Sequence, residues 1–140
     1  MAYRAAVVLE TLEAPGERFG VRFESGARVP VDPRSSPEAA TPVELVLAAL
    51  GGCSAIDVIE ILRKKRQVVL GYEVVVEAER RAEHPRIFTR IELVHRLRGR
   101  DLSRAAIEDA IRLSDTKYCS VHAMLEGGAK IVSRFEIIPA

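Results

Sequence analysis

The sequence predicts an α+β fold in which mostly antiparallel strands pack on one long central helix. A nearly uninterrupted run of apolar and small residues extends from Leu45 to Leu62, which is long enough for about five helical turns. Short segments of alternating polar and apolar residues lie on both sides of this run, as in half-exposed strands. The order strands, helix, strands, helix, strand is typical of α+β proteins.

The composition limits the classes of function. A chain of 140 residues can bury a hydrophobic core and most simply forms one domain, residues 1–140. A formal net charge of +1, an aromatic content of 5% and the absence of Trp argue against a nucleic-acid partner. The N-terminal residues lack the pattern of a secretory signal, and charged residues interrupt the central run, so no membrane span is expected. We therefore expect a cytoplasmic protein with reduced cysteines.

Three short strands are expected before the central helix. Residues 3–12 and 19–23 contain many residues that favour strands, and a turn at residues 14–17 separates them. Residues 27–31 form the third strand. Pro30 predicts that this strand lies at a sheet edge, because proline cannot donate a ladder hydrogen bond.

The central helix has recognisable ends. Thr41 is suited to cap the first free amides, Pro42 fits the first helical position, and Glu44 lies three residues after the cap. Basic residues at 63–66 place positive charge at the negative end of the helix dipole. The sequence therefore predicts a helix over residues 41–66.

Two features of this helix need a tertiary explanation. Gly51 and Gly52 lie near its middle and together cost about 2 kcal/mol relative to alanine, so a close backbone, a kink or a ligand is expected beside them. The helix is also apolar on nearly all sides, which predicts that it is buried. A second subunit supplies the necessary cover more easily than one short chain, so we expect a homodimer.

The second half of the chain predicts a long antiparallel hairpin of residues 72–80 and 87–97, ended by Gly99. Ser103 caps a second helix of about four turns. Its inward residues are Leu102, Ala106, Ala110 and Ile111. A short helix at 121–125 and a strand at 129–138 complete the fold.

The two cysteines, Cys53 and Cys119, allow three interpretations: unrelated buried thiols, metal ligands or a redox couple. Cys119 follows Lys117 at the start of a short helix, where amide dipoles and a cation are expected to lower a thiol pKa. Cys119 and His122 also have a spacing that, with Cys53, would form a Cys2His zinc set. Asp57, one turn beyond Cys53, is interpreted as a polar anchor.

Glu44 has two possible roles. As the third residue after the cap it can complete a capping box with Thr41. It also lies on roughly the same side of the helix as Cys53, and it could reach a shared cavity through an arginine, either Arg28 or Arg22. His95, on the second long strand, has no identifiable partner in the sequence.

The sequence resembles the OsmC/Ohr family of osmotically inducible and organic hydroperoxide resistance proteins. The resemblance depends on Thr41-Pro-Val-Glu-Leu-Val-Leu-Ala-Ala-Leu-Gly-Gly-Cys-Ser-Ala-Ile-Asp-Val58, on residues 61–67 and on Lys117-Tyr-Cys-Ser-Val121. It implies an OsmC-like fold, an intertwined homodimer with sites at the subunit interface, and a thiol peroxidase. Ser120 departs from the organic-hydroperoxide branch, where proline usually follows the second cysteine, and is closer to a less characterised branch.

The resemblance also implies roles for individual residues. Cys53 matches the peroxidatic thiol, Cys119 the resolving thiol, and Glu44 the carboxylate that orients an arginine. Arg28 is the first choice for that arginine and Arg22 the second. The implied substrate is an organic hydroperoxide, the implied reductant is an external dithiol, and no cofactor is expected.

Two alternatives from other functional classes remain open at this stage. One is a non-catalytic dimer that binds an apolar ligand and has redox-sensitive cysteines. The other is the zinc protein built on Cys53, Cys119 and His122.

Overall fold

The computed structural model describes residues 3–11 and 18–139. The α+β class and the expected order of elements are confirmed. The elements are β1 (Ala5–Thr11), β2 (Arg18–Phe23), β3 (Arg28–Val31), α1 (Pro42–Lys64), β4 (Val68–Arg80), β5 (Phe88–Arg100), α2 (Arg104–Leu113), a π-helical turn (Ser114–Tyr118), α3 (Ser120–Leu125) and β6 (Lys130–Ile137).

The chain divides into two compact units within α1, residues 1–46 and 47–140. The first unit contains a three-stranded antiparallel sheet in the order β1-β2-β3. This order places β3 at an edge, as Pro30 predicted, with Pro30 opposite Gly20 of β2. The turn expected at residues 14–17 lies outside the described residues.

The second unit contains a sheet in the order β4-β5-β6. The predicted hairpin is confirmed as the antiparallel pair β4–β5, and β6 pairs with β5 in parallel. The expectation that Gly99 ends the hairpin is wrong, because β5 continues to Arg100 and β4 begins at Val68. A Cβ at Gly99 would lie 2.1 Å from the Val68 carbonyl oxygen, so the glycine permits close approach of the two backbones.

Alternate side chains of β5 lie in the core of the second unit. Ile91, Leu93, His95 and Leu97 are fully buried. Ile91, Leu93 and Leu97 contribute to two apolar clusters in the second unit. One cluster contains Val58, Leu62, Leu97, Ile107, Ala110 and Ile111, and the other contains Leu50, Ile91, Leu93 and Cys119.

The second helix begins as predicted, because the Ser103 hydroxyl accepts a hydrogen bond of 3.1 Å from the Ala106 amide. The inward positions Ala110 and Ile111 are confirmed, whereas Leu102 and Ala106 are only partly buried. The fully buried Ile107 was missed by the sequence analysis. The expected four turns are divided between α2 and the π-helical turn at Ser114–Tyr118. Turns of this kind occur often at functional sites.

In the part of the chain that the structure describes, only one face of α1 is buried. Leu50, Ser54, Val58 and Leu62, spaced four residues apart, are fully buried, whereas Ile56 is 60% exposed. The described residues of this chain therefore do not supply the all-round cover that the sequence predicts for this helix. By length and composition alone α1 could cross a membrane, but core helices of soluble proteins meet the same criterion.

The two helix glycines differ in their surroundings. A Cβ at Gly51 would lie 2.8 Å from Cγ2 of Val76 in β4, so the expected close approach is present there. A Cβ at Gly52 would meet nothing within 4 Å among the described residues. Close packing therefore explains the first glycine, and none of the described residues explains the second.

Candidate active site

The two cysteines lie side by side in the second unit. Cys53 is half-buried on α1, and Cys119 is 4% exposed at the start of α3. Both are free thiols, and their sulfur atoms and a carboxylate oxygen of Asp57 all lie within 4.8 Å of one another. The structure therefore brings together the two thiols whose proximity the sequence left open.

Local backbone chemistry positions Cys119. Its backbone is extended at the end of the π-helical turn, and its amide donates to the Ser114 carbonyl at 2.9 Å. Its sulfur accepts a hydrogen bond of 3.3 Å from the His122 amide, so the thiol caps α3 as a serine hydroxyl often does. Cys119 is consequently held at a defined position opposite α1.

The expectation of a lowered pKa at Cys119 is wrong. Burial raises the pKa of the Cys119 thiol to about 12, and the hydrogen bond with Cys53 and the charge of Asp57 act in the same direction. The amide of His122 opposes this rise with a smaller effect. Lys117 is the cation that was expected to lower this pKa, and its ammonium lies 5.2 Å from the centre of the Tyr118 ring. The Cys119 thiol is therefore protonated at neutral pH.

Asp57 lies one helical turn after Cys53 on α1. Its Oδ2 accepts a hydrogen bond of 2.9 Å from the hydroxyl of the fully buried Ser114. This bond is the polar anchor that the sequence analysis expected. The same carboxylate is also the third member of the cluster with the two sulfurs. Two thiols and one carboxylate are a donor set that Zn²⁺ accepts.

The Cys2His zinc set proposed from the sequence does not form among the described residues, because His122 is outside the cluster. Its Nδ1 lies 3.5 Å from Asp115 Oδ1, and its Nε2 lies 3.5 Å from Glu126 Oε2. Burial raises the pKa of the Asp115 carboxyl, while the neighbouring Ser133 and His122 act to lower it. The third ligand of any metal bound by the cysteines would therefore be Asp57.

His95 has a partner that the sequence analysis missed. The Tyr72 hydroxyl lies 2.6 Å from His95 Nδ1, and the two rings stack with their centroids 5.9 Å apart. Burial lowers the pKa of His95 to about 4, so the ring is neutral at physiological pH and shares a hydrogen bond with the Tyr72 hydroxyl through Nδ1. Burial raises the pKa of Tyr72, and the charges of Asp115 and Asp57 raise it further. Strand alternation places Tyr72 and His95 on the inward face of two paired strands, and this was the signal from which their contact could have been predicted.

Glu44 forms the capping box expected from the sequence. Its Oε1 accepts from the Thr41 amide at 2.9 Å, and its own amide donates to the Thr41 hydroxyl at 3.3 Å. Its Oε2 accepts from the Ser35 hydroxyl at 2.9 Å, and these hydrogen bonds lower the pKa of Glu44. Among the ion pairs of the described residues, Glu44 has no arginine partner.

The two candidate arginines lie in the first unit. Arg28 is exposed, and its guanidinium donates to Glu10 at 2.8 Å. Arg22 is opposite Arg28 in the β2–β3 pair and is also exposed. Neither side chain is held by the carboxylate of Glu44 within the described residues.

A pocket of about 430 Å³ borders Cys119. Its lining consists of Asp115, Thr116, Lys117, Cys119, His122, Ala123, Glu126 and Ile131. Cys119 also packs in the apolar cluster with Leu50, Leu47 and Cys53. Cys119 therefore contacts both an aliphatic cluster and a largely polar pocket.

Comparison with known proteins identifies the family. Residues 35–134 match the model of the OsmC-like protein family. Protein YhfA of Escherichia coli strain K12 is 48% identical over 116 residues, which covers 83% of this chain and 87% of that protein.

The fold has close structural counterparts. A hypothetical protein from Aquifex aeolicus VF5 is 28% identical, with a TM-score of 0.86 over 100% of this chain and 98% of that one. An organic hydroperoxide resistance protein from Elizabethkingia anophelis shares the fold at 12% identity, with a TM-score of 0.72 over 99% of this chain and 97% of that one. Since the family model matches most of the sequence and the relative from E. coli is similar over most of its length, the chain belongs to the OsmC-like protein family.

Proposed function

We propose that this protein is a thiol-dependent peroxidase that reduces organic hydroperoxides. The proposal depends chiefly on the pair of free cysteines whose sulfurs lie within 4.8 Å of each other. Such chemistry needs one thiol that a peroxide can reach and a second that can condense with the oxidised first. Cys53 is half-buried and Cys119 is 4% exposed, which favours Cys53 as the thiol attacked first.

The reaction has three steps. The Cys53 thiolate attacks the terminal oxygen of the hydroperoxide, so that an S–O bond forms, the O–O bond breaks and the alkoxide leaves as the alcohol after protonation. Cys119 then attacks the sulfur of the Cys53 sulfenic acid, forming a disulfide and releasing water. An external dithiol reduces this disulfide by exchange and restores both thiols.

The surroundings favour an alkyl hydroperoxide over hydrogen peroxide. Leu47 and Leu50 pack in the same apolar cluster as the two cysteines, and their side chains suit an aliphatic substrate. The E. anophelis protein of the same fold is named for organic hydroperoxide resistance. We extend that substrate class to this chain as part of the proposal.

The cation that would stabilise the leaving oxygen is proposed to be Arg28, with Arg22 as the second choice and Glu44 as the orienting carboxylate. In the structure Arg28 pairs with Glu10, while Glu44 accepts from Thr41 and Ser35. The proposed role therefore requires Arg28 to leave Glu10 and to pair with Glu44 instead.

We further propose that the protein is a cytoplasmic homodimer. The exposed apolar side chains of α1, such as the 60% exposed Ile56, support the dimer, because a second subunit would remove them from water. Obligate interfaces of this kind often bury more than about 2,000 Å² in total. Sedimentation at micromolar concentration should give a dimer, and a monomer would contradict this part of the proposal.

A second candidate function is zinc binding by Cys53, Asp57 and Cys119. Three donors within 4.8 Å of one another leave a fourth position for water, as in many catalytic zinc sites. Metal analysis of protein purified without chelator tests this candidate. Stoichiometric zinc that is lost in Cys119→Ser would support it, and metal-free protein that does not bind added Zn²⁺ would exclude it.

The peroxidase proposal is tested with tert-butyl hydroperoxide, intact mass and a sulfenic-acid trap. Wild type should lose both thiols and form an intramolecular disulfide without gaining the mass of oxygen. Cys119→Ser should react once and retain a sulfenic acid on Cys53, whereas Cys53→Ser should not consume peroxide.

Two results would contradict the proposal. If Cys53→Ser retains full activity, Cys53 is not the peroxidatic thiol. If wild type leaves the hydroperoxide unchanged in the presence of a dithiol, the non-catalytic dimer that binds an apolar ligand is favoured instead.

A further inference from the structure

The carboxylate of Asp57 is adjacent to both reactive sulfurs but has no cationic partner among the described residues. One of its oxygens lies within 4.8 Å of both sulfurs, and its Oδ2 accepts a hydrogen bond from Ser114. No lysine, arginine or histidine of the described residues lies within ion-pair distance of it. A negative charge here opposes formation of a thiolate, so its presence beside a thiol pair needs an explanation.

The need for a proton acceptor arises at Cys119. Its thiol is 4% exposed and lies beside the Asp57 carboxylate, and burial next to a negative charge disfavours a thiolate. Attack on an oxidised Cys53 requires the thiolate, because the neutral thiol is a poor nucleophile. A base within hydrogen-bond reach, directly or through one water, removes this obstacle. Among the described residues no direct hydrogen bond joins Asp57 to Cys119, so their separation of at most 4.8 Å fits proton transfer through one water.

We propose that Asp57 is the base that accepts the proton of Cys119 when the two cysteines form their disulfide. Where peroxide is the oxidant, this inference rests on the proposed function. The Cys119 S–H bond breaks and its proton passes to the Asp57 carboxylate, while the Cys119 sulfur bonds to the Cys53 sulfur. The S–O bond of the sulfenic acid breaks, and the leaving hydroxide takes the proton from Asp57 to become water. Asp57 returns to its ionised form.

Ser114 gives this base its position. The hydroxyl of Ser114 donates to Oδ2 of Asp57, and the ionised carboxylate has further lone pairs that can accept a proton. Ser114 begins the π-helical turn, and Cys119 follows that turn directly. The same short segment therefore orients the base and holds the thiol.

The test isolates the disulfide-forming step and uses no peroxide, so that its failure is distinct from failure of the peroxidase proposal. The aromatic disulfide dithiobis(nitrobenzoate) reacts with Cys53 to give a mixed disulfide and one coloured thiolate. Cys119 then attacks the Cys53 sulfur and releases a second coloured thiolate. Stopped-flow absorbance resolves the two releases, and mass spectrometry confirms the final disulfide.

The informative variant is Asp57→Asn, and Glu60→Gln is its matched control on an exposed position of the same helix. Asp57→Asn should slow the second release about 100-fold at pH 7, which is the lower range of general-base effects. Its first release should not be slowed. Glu60→Gln should match wild type in both releases. A second release in Asp57→Asn at the wild-type rate would overturn the proposal.

The pH profile of wild type gives an answer that does not depend on the folding of any variant. The mixed disulfide is formed at low pH and then moved to the chosen pH. With Asp57 as the base, the rate of the second release should be nearly constant between pH 6 and 9. A rate that increases tenfold for each pH unit across that range would show unaided ionisation of Cys119 and overturn the proposal. Release of only one thiolate by wild type would also overturn it.

Discussion

The strongest quantitative prediction concerns the reactivity of Cys119 towards an alkylating reagent. With a pKa of about 12, about one molecule in 10,000 has this thiol ionised at pH 8. An ordinary cysteine with a pKa of about 8.5 is about one quarter ionised at the same pH. The fraction of thiolate is therefore about 2,000-fold smaller.

A second effect partly compensates for this loss. A thiolate of higher pKa is the better nucleophile, and the Brønsted coefficient of about 0.4–0.5 makes the Cys119 thiolate about 40-fold more reactive per molecule. The net result is alkylation about 50-fold slower than for an ordinary cysteine. Since the residue is also only 4% exposed, restricted access should slow its alkylation further.

The assay is a time course with iodoacetamide at pH 8, read for each cysteine by peptide mass spectrometry. The control is the same protein in guanidinium chloride, where Cys53 and Cys119 should react at equal rates. In the native protein Cys119 should be protected at least about 50-fold relative to that control. Alkylation of native Cys119 within a few-fold of the denatured rate would refute both its burial and its raised pKa.

Three further predictions follow from other parts of the structure. Gly51→Ala should destabilise the protein by about 1 kcal/mol, because a clash worth about 1–3 kcal/mol with a valine of β4 exceeds the gain in helix propensity. Gly52→Ala, whose Cβ would meet none of the described residues within 4 Å, should stabilise the protein by up to about 1 kcal/mol. Equal melting temperatures of the two variants would contradict these two predictions. Glu44→Gln should keep the melting temperature, because Gln also completes a capping box, but should slow peroxide reduction if the carboxylate orients an arginine. Rates equal to wild type would reject that catalytic role. Acid should destabilise the fold by about 3 kcal/mol between pH 6.5 and 4, because unfolded His95 binds a proton there while the folded ring stays neutral to about pH 4. Urea unfolding with no such loss would contradict the burial of a neutral His95.

Local chemistry explains why many elements were predictable from the sequence. The capping box at Thr41 and Glu44 involves residues three positions apart, and the basic residues at the other end mark the last turn of α1. The alternation of β4 and β5 and the edge position of Pro30 likewise depend on neighbouring residues. The same local signals identified Ser103 as a cap.

The sequence by itself determined the fold class, the ends of the central helix and the two thiols as the candidates for chemistry. Only the tertiary structure decided that Cys53 and Cys119 meet, that Asp57 is adjacent to both, and that His122 is not. It also reversed the expected direction of the Cys119 pKa, since desolvation by the packed core exceeds the effect of one capping amide. The physical reason is common to these cases: proximity and burial depend on which distant segments pack together, whereas caps and alternation depend on residues within a few positions.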